Sequence, residues 1–263
     1  MSQLQKRLIS SAILITVTVY AMRGPLWFFF LAAEFLIFCA LKEYYRLAEA
    51  SGAPIEKNVG LTAGLLAPFA LFYSVNLVYL VFTMMIVFLS YFRRDRREHG
   101  LVGVALTFFG IFYVAWFFSH VVLVRALDHG AAWVFYVVLL VKGGDAAAYF
   151  VGKKFGKTRL IEYISPNKSV EGAIAGFVAT LLLSIFSQTY LPPVGLTHLI
   201  VLGVVIGILA PLSDLAESLI KRNAQIKDSG AVPGLGGILD VLDSLLLTIP
   251  FVYFYLFSIM GLR

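Results

Sequence analysis

The sequence predicts an all-α fold, a polytopic integral membrane helix bundle of about nine transmembrane helices. Three observations predict it. Of 263 residues, 60% are hydrophobic and 14% charged, whereas a soluble domain carries roughly 25% charged residues. Apolar runs long enough to cross a ~30 Å hydrocarbon core, which takes about 20 helical residues, recur along the whole chain. These runs are apolar all round and lack the alternation of a barrel strand, so helix is the element they specify. Mean hydropathy is +0.89.

Taking each apolar run between charged gaps as one helix places spans at 8–22, 25–41, 59–73, 76–92, 101–124, 131–151, 172–190, 196–213 and 243–261. Lys6 and Arg7 before Leu8–Met22 resemble the start of a signal peptide, but no small-residue cleavage pattern follows and further hydrophobic runs do, so this is read as the first span. Pro68 and Asn76 interrupt a longer apolar stretch, which fits either two spans or one bent helix. No internal repeat, low-complexity tract or long soluble segment is visible. The chain divides into N-terminal transmembrane helices, 1–130, and a C-terminal transmembrane region, 131–263, that carries the chemistry.

The formal charge of +6 and pI near 9.4 do not point to nucleic acid, because the basic residues lie in short gaps between apolar runs. With a cytoplasmic N-terminus, 17 Lys and Arg fall on the inner side, in the gaps around residues 6–7, 42–57, 93–97, 153–168 and 221–227. The outer side holds Arg23, Arg125 and Arg263, and Lys142 lies within a span. The split predicts nine spans, N-terminus in and C-terminus out, with the polar C-terminal stretch facing the cytoplasm across the cell's inner membrane. A lone Cys39 excludes an internal disulfide.

The densest polar segment runs from Ser213 to Ser244. Asp240 and Asp243 stand three apart, on one face if the last helix begins near Ile238. Two oxygen ligands on one face suit Mg²⁺, which takes one or two carboxylates and leaves its other positions to water and substrate phosphates. The structural alternative is a pair of acids at a helix N-terminus. Asp243 enters the membrane, where an unpaired Asp costs on the order of 2.5–3.5 kcal/mol, and this favours the metal. Asp214, Ser218 and Lys221 form one helical stripe with Arg222 beside it, a set that holds phosphates, although basic residues here also serve topology. Gly234, Gly236 and Gly237 either bring backbone N–H groups up to an anion or form a plain turn. Within the sixth span, Lys142 and Asp145 are a functional pair or a self-neutralising structural one. The lysines after that span, at 153, 154, 157 and 168, suit anionic headgroups of the lipid bilayer or mark topology.

The run Ser218-x-x-Lys221-Arg222-x-x-x-x-Lys227-Asp228-x-Gly230, continuing to Pro233-Gly234-x-Gly236-Gly237-x-x-Asp240-x-x-Asp243, resembles the signature of the phosphatidate cytidylyltransferases, the CDP-diacylglycerol synthases. Asp145-x-x-Ala148-Tyr149-Phe150-x-Gly152 and Ser165-Pro166-x-Lys168-x-x-Glu171-Gly172 resemble that family's second recurring block. The likeness covers about residues 140–250. Two positions depart from it: Leu235 stands where the family usually has His, and Val241 where it has Arg. Their loss removes a proton carrier or phosphate donor and a cation beside the acid pair.

The resemblance implies transfer of a cytidylyl group from CTP to phosphatidic acid, giving CDP-diacylglycerol and pyrophosphate for phospholipid synthesis. Such a transfer needs charge neutralisation and in-line placement rather than a covalent intermediate. A phosphomonoester is already an oxyanion at neutral pH, so a dedicated base is dispensable, in keeping with Leu235. On this reading Asp240, Asp243 and Asp214 hold one or two Mg²⁺, with Asp145 as a further ligand. Lys221, Arg222 and Lys227 hold the triphosphate. Ser218, Asp228 and the glycine loop (Gly234, Gly236, Gly237) complete its binding, and Lys168 and Glu171 close the pocket. A homodimer is an open possibility. Two other classes stay open: a CTP-dependent polyprenol or lipid-alcohol kinase, which needs a base for its hydroxyl acceptor, and a transporter, which would explain buried charges but not the glycine loop.

Overall fold

The computed structural model describes residue 16 and residues 18–92, 99–226 and 236–263. Most of the first expected span therefore lies outside the described residues, and residues 18–22 are helical. The helices that follow are α1 (Leu26–Ala50), α2 (Lys57–Phe72), α3 (Asn76–Phe92), α4 (Gly100–Gly110), α5 (Phe117–Ala126), α6 (Gly130–Phe155), α7 (Val170–Phe186), α8 (Leu196–Asn223), α9 (Ile238–Leu246) and α10 (Thr248–Phe254). A π-helical turn, Ile111–Trp116, joins α4 to α5 without a break, and another, Tyr255–Ile259, extends α10. Among the described residues five helical stretches are long and apolar enough to cross a membrane: Gly100–Ala126, Gly130–Phe155, Val170–Thr189, Leu196–Asn223 and Ile238–Ile259. Helices α2 and α3 are shorter and apolar, while α1 is 25 residues long and carries Glu34, Lys42 and Glu43. The all-α, polytopic membrane class expected from composition is the class found.

The expected spans from residue 25 onward map onto these helices, with an informative difference at the eighth. The apolar stretch 59–92 is two helices, as the spans 59–73 and 76–92 anticipated: the break falls at Ser74, whose φ is +57°, and Pro68 lies inside α2. The eighth span does not stop at 213. Helix α8 runs unbroken through Asp214, Ser218 and Lys221 to Asn223, so the polar stripe is the continuation of a membrane helix. At ~1.5 Å per residue its 28 residues are about 42 Å long, well past the hydrocarbon core.

The chain forms two compact units, Met1–Leu123 with Ile220–Leu242, and Val124–Leu219 with Asp243–Arg263. In the first unit, lipid rather than water sets the residue pattern. Along α3, Leu77, Val78, Val81, Phe82, Met85, Ile86 and Leu89 are exposed, while Tyr79, Thr83, Val87 and Tyr91, spaced by four, are buried. Apolar surface on that scale suits hydrocarbon and not water. Inside, tyrosine hydroxyls satisfy backbone groups that have no water to turn to. Tyr44 and Tyr45 donate to the carbonyls of Leu106 (3.0 Å) and Thr107 (2.9 Å), just ahead of the π turn. Tyr79 donates to Ala63 (2.8 Å), and Tyr91 meets both Pro54 O and the Thr107 hydroxyl.

The second unit is built on a close pair, α6 against α7. Gly144, Ala148 and Gly152 on α6 and Gly172, Gly176 and Thr180 on α7 repeat every four residues. A Cβ at Gly176 would lie 3.0 Å from both Ala148 Cβ and the Gly144 carbonyl. Seams of small residues let helix backbones approach in lipid, where no hydrophobic force joins them. The loop between the two helices folds into an antiparallel hairpin, β1 (Arg159–Ile161) with β2 (Ser165–Ser169), which the apolar-run reading gave no sign of. Ser169 then caps α7 through Gly172 N (3.1 Å). The Tyr136 hydroxyl meets that of Ser184 (2.6 Å), which donates to Leu199 O on α8 (2.6 Å).

Candidate active site

In the first unit one group of candidate residues is built around the start of α9. Gly237 is the N-cap, since its carbonyl accepts the first helical bond, from Val241 N (3.2 Å). Asp240, at the third helical position, reaches back to accept from Gly237 N (2.6 Å). This is the reciprocal half of a capping box. The other Asp240 oxygen is 2.5 Å from Lys221 Nζ, and with both side chains about 15% exposed (15% and 16%) the ion pair is largely withdrawn from water. Gly236 has φ +87° and a Cβ there would run into the Asp240 carboxylate. The turn must therefore be glycine on two counts, left-handed backbone and close approach. Glu43 of α1 supplies what a glycine N-cap cannot, because its carboxylate accepts from Ile238 N (3.1 Å) and Leu239 N (2.8 Å). Arg222, next to Lys221, is exposed.

In the second unit three helices each contribute an aspartate. Asp145 (α6) and Asp243 (α9) both receive the Ser244 hydroxyl, at 3.3 and 3.0 Å, and the Asp214 carboxylate (α8) acts electrostatically on both. Asp243 is buried, at 8% exposure. Ser244 N also donates to it (2.5 Å). Two lysines oppose the acids. Lys168, at the end of β2, is 2.6 Å from Asp214, and Lys142 lies 3.5 Å from Asp145. Ser218 lies 3.5 Å from Asp214, one turn along α8. Among the described residues, no three His, Cys, Asp or Glu side chains stand close enough together to hold a metal ion by themselves.

Local sequence explains how Asp243 is held. Pro250 cannot donate to the carbonyl four residues back, and α9 gives way to α10 at Leu247. Ser213, fully buried on α8, enters that break: its hydroxyl donates to the Asp243 carbonyl and accepts from Leu247 N (3.2 Å). A hydroxyl inserted into the helical ladder is a recognised cause of a bend. Pro211 lies two residues before it in the same helix.

The two aspartates expected to work as a pair have different partners. Asp240 engages Lys221 and Gly237, whereas Asp243 engages Ser244, in company with Asp145 and Asp214. Gly237 N, expected to face an anion, is given to Asp240. Glu171 spends its carboxylate on Lys157 N and Thr158 N (both 3.1 Å), tying down the turn after α6. Lys227, Asp228 and Gly234 lie outside the described residues. Sequence reasoning missed Glu43, Ser213 and Ser244. Ser244 adjoins Asp243 and was within reach of the sequence, but Glu43 is 195 residues from the nearer amide it binds, and nothing in its local pattern marks it.

A model of the cytidylyltransferase family matches residues 5–259, nearly the whole chain. The chain belongs to this family. Curated relatives carry the name phosphatidate cytidylyltransferase. The protein of Synechocystis sp. is 32% identical over 290 aligned positions covering 95% of each chain. That of Bacillus subtilis is 41% identical over 147 residues, 55% of each chain, and that of Chlamydia muridarum 42% identical over 130, 47% of this chain and 43% of the other. The chain thus spans about half the length of the Bacillus and Chlamydia relatives and nearly all of the Synechocystis one.

Proposed function

We propose that this chain transfers the cytidylyl group of CTP to phosphatidic acid, giving CDP-diacylglycerol and pyrophosphate, as the names of its relatives suggest. The observation that carries the reading is the grouping, on helices of a membrane protein of the cytidylyltransferase family, of Asp145, Asp214 and Asp243 with Lys142 and Lys168. A phosphate oxygen of the lipid attacks the α-phosphorus of CTP. The bond from that phosphorus to the bridging oxygen of the β-phosphate breaks, and pyrophosphate leaves with the electron pair. The nucleophile is already anionic, so no base is required, and the chain's task is placement and charge neutralisation. Lys221, Arg222 and Lys227 would hold the triphosphate and the departing pyrophosphate.

The acidic group fits Mg²⁺. Ser244 has one hydroxyl proton for two carboxylates, and Asp214 adds a third negative charge that Lys168 and Lys142 offset only in part. Asp145 and Asp243, with Asp214 near, would hold the cation, which takes one or two carboxylates and completes its shell with water and phosphate oxygens. When bound it supplies neutralisation of the triphosphate charge. Asp240 contributes by fixing Lys221.

The reading is tested by product analysis. Purified protein in detergent with phosphatidic acid, Mg²⁺ and CTP should yield CDP-lipid and pyrophosphate in equal amounts. CDP with a newly phosphorylated lipid would identify a kinase instead. The basic split supports a site facing the cytoplasm from the cell's inner membrane, and this has its own test. With Cys39 replaced, Lys157→Cys should react with an impermeant thiol reagent only from the cytoplasmic side and His129→Cys only from outside. Labelling of both from one side would reject that topology.

A further inference from the structure

We propose that Glu43 is a positioning residue for the nucleotide site: from α1 it caps the helix that carries Asp240 and so fixes the Asp240–Lys221 pair. The inference rests on the reading of Lys221 as a triphosphate ligand. An α-helix begins with N–H groups that have no helical partner. The favoured N-cap residues, Ser, Thr, Asn and Asp, accept from one of them through the side chain. Here the N-cap is Gly237, which has no side chain to offer. The glycine before it is required by the fold, because Asp240, folded back onto Gly237 N at 2.6 Å, fills the space that a Cβ at Gly236 would need.

Glu43 supplies the missing acceptors from 195 residues away. One carboxylate oxygen takes Ile238 N and the other Leu239 N, at 3.1 and 2.8 Å, the first two helical positions. Its negative charge also lies at the positive end of the helix dipole, the favourable end. Three consecutive amides, 237 to 239, are thus satisfied by two carboxylates, Asp240 and Glu43. Without Glu43, two of those amides must find water or draw on Asp240. Diverting Asp240 alters its grip on Lys221 Nζ, now 2.5 Å away. Glu43 thus acts on the reaction through Asp240 and Lys221 without touching substrate.

The experiment uses the full chain in detergent and compares wild type with Glu43→Ala, Glu43→Gln and, as control, Glu49→Gln. Glu49 is on the same helix in an exposed pair with Lys57, a kind of contact that contributes little. Hydrogen-exchange mass spectrometry across 236–242 and kcat and KM for CTP are measured on each. Glu43→Ala should speed exchange in that segment and lower kcat/KM for CTP on the order of tenfold or more, the scale expected when amides lose a charged acceptor. Glu43→Gln, which keeps the size and one acceptor oxygen, should fall between it and wild type. Glu49→Gln should match wild type in both readouts. A role confined to folding would lower the melting temperature while leaving kcat/KM per folded molecule unchanged, and that result overturns the proposal. If Glu43→Ala does not fold, Glu43→Gln decides: wild-type exchange and wild-type kcat/KM overturn it. A wild type that makes no CDP-lipid would bring down the functional reading and this inference together. An active wild type with indifferent Glu43 variants brings down this inference alone.

Discussion

Asp243→Asn is expected to lower cytidylyl transfer on the order of a hundredfold or more, the scale seen when a preorganised electrostatic group is removed from an active site, while the protein stays folded. Asn keeps the size and one oxygen that can still accept from Ser244 N, now 2.5 Å away, so the local bonding survives and the charge is lost. A structural account based on the helix dipole does not reach this residue. The dipole acts within the first turn, and Asp243 is the sixth residue of a helix that begins at Ile238. A buried carboxylate near two others is a stability liability, so melting temperature should be equal to or above that of wild type. Activity measured against Mg²⁺ concentration completes the test, since a loss that excess Mg²⁺ partly restores places the defect in cation affinity. Near-full activity with an ordinary Mg²⁺ dependence would remove Asp243 from the site.

Lys221→Ala is the second large effect, and it separates stability from chemistry. Its ammonium and Asp240 form a largely buried pair. Removing the ammonium takes away the cation opposing the Asp240 charge and should destabilise the protein by up to about 3 kcal/mol, besides lowering turnover by at least the same factor as Asp243→Asn. Adding Asp240→Asn to Lys221→Ala removes that unopposed negative charge while keeping an oxygen for Gly237 N. The double variant should therefore regain most of the lost stability in a denaturation series and none of the lost turnover. If turnover returns along with stability, Lys221 serves only to hold α9 in place.

These two aspartates also measure what the sequence could convey. Their spacing put both on one face only if the last helix began near Ile238, and the helix does begin there, five residues ahead of the span expected at 243–261. The spacing said nothing of partners, because a helix face specifies direction only relative to its own axis. Asp240 lies in the first turn and is drawn to the N-cap and Lys221, while Asp243 lies one turn on, among acids from α6 and α8. The spans were legible because membrane burial writes itself as uninterrupted apolar runs. The break at 74–75 was legible too, but the choice between two helices and one bent at Pro68 was not, since a proline can sit within a membrane helix when neighbouring groups accommodate it. The 159–169 hairpin was hidden because it is short and polar, with Pro166 inside its second strand. Glu43 was hidden for a different reason. Its bonds to Ile238 N and Leu239 N join parts of the chain 195 and 196 residues apart, and a single acid among the charges at a helix end carries no periodic signal.

The central claim is the identity of the group transferred, and label position in the product tests it most directly. The purified protein is given phosphatidic acid, Mg²⁺ and CTP carrying ³²P at either the α or the γ position, and the lipid is extracted. Cytidylyl transfer predicts that the α label enters the lipid and the γ label remains in water as pyrophosphate. Label from the γ position in the lipid, with the α label left in water as CDP, would contradict it.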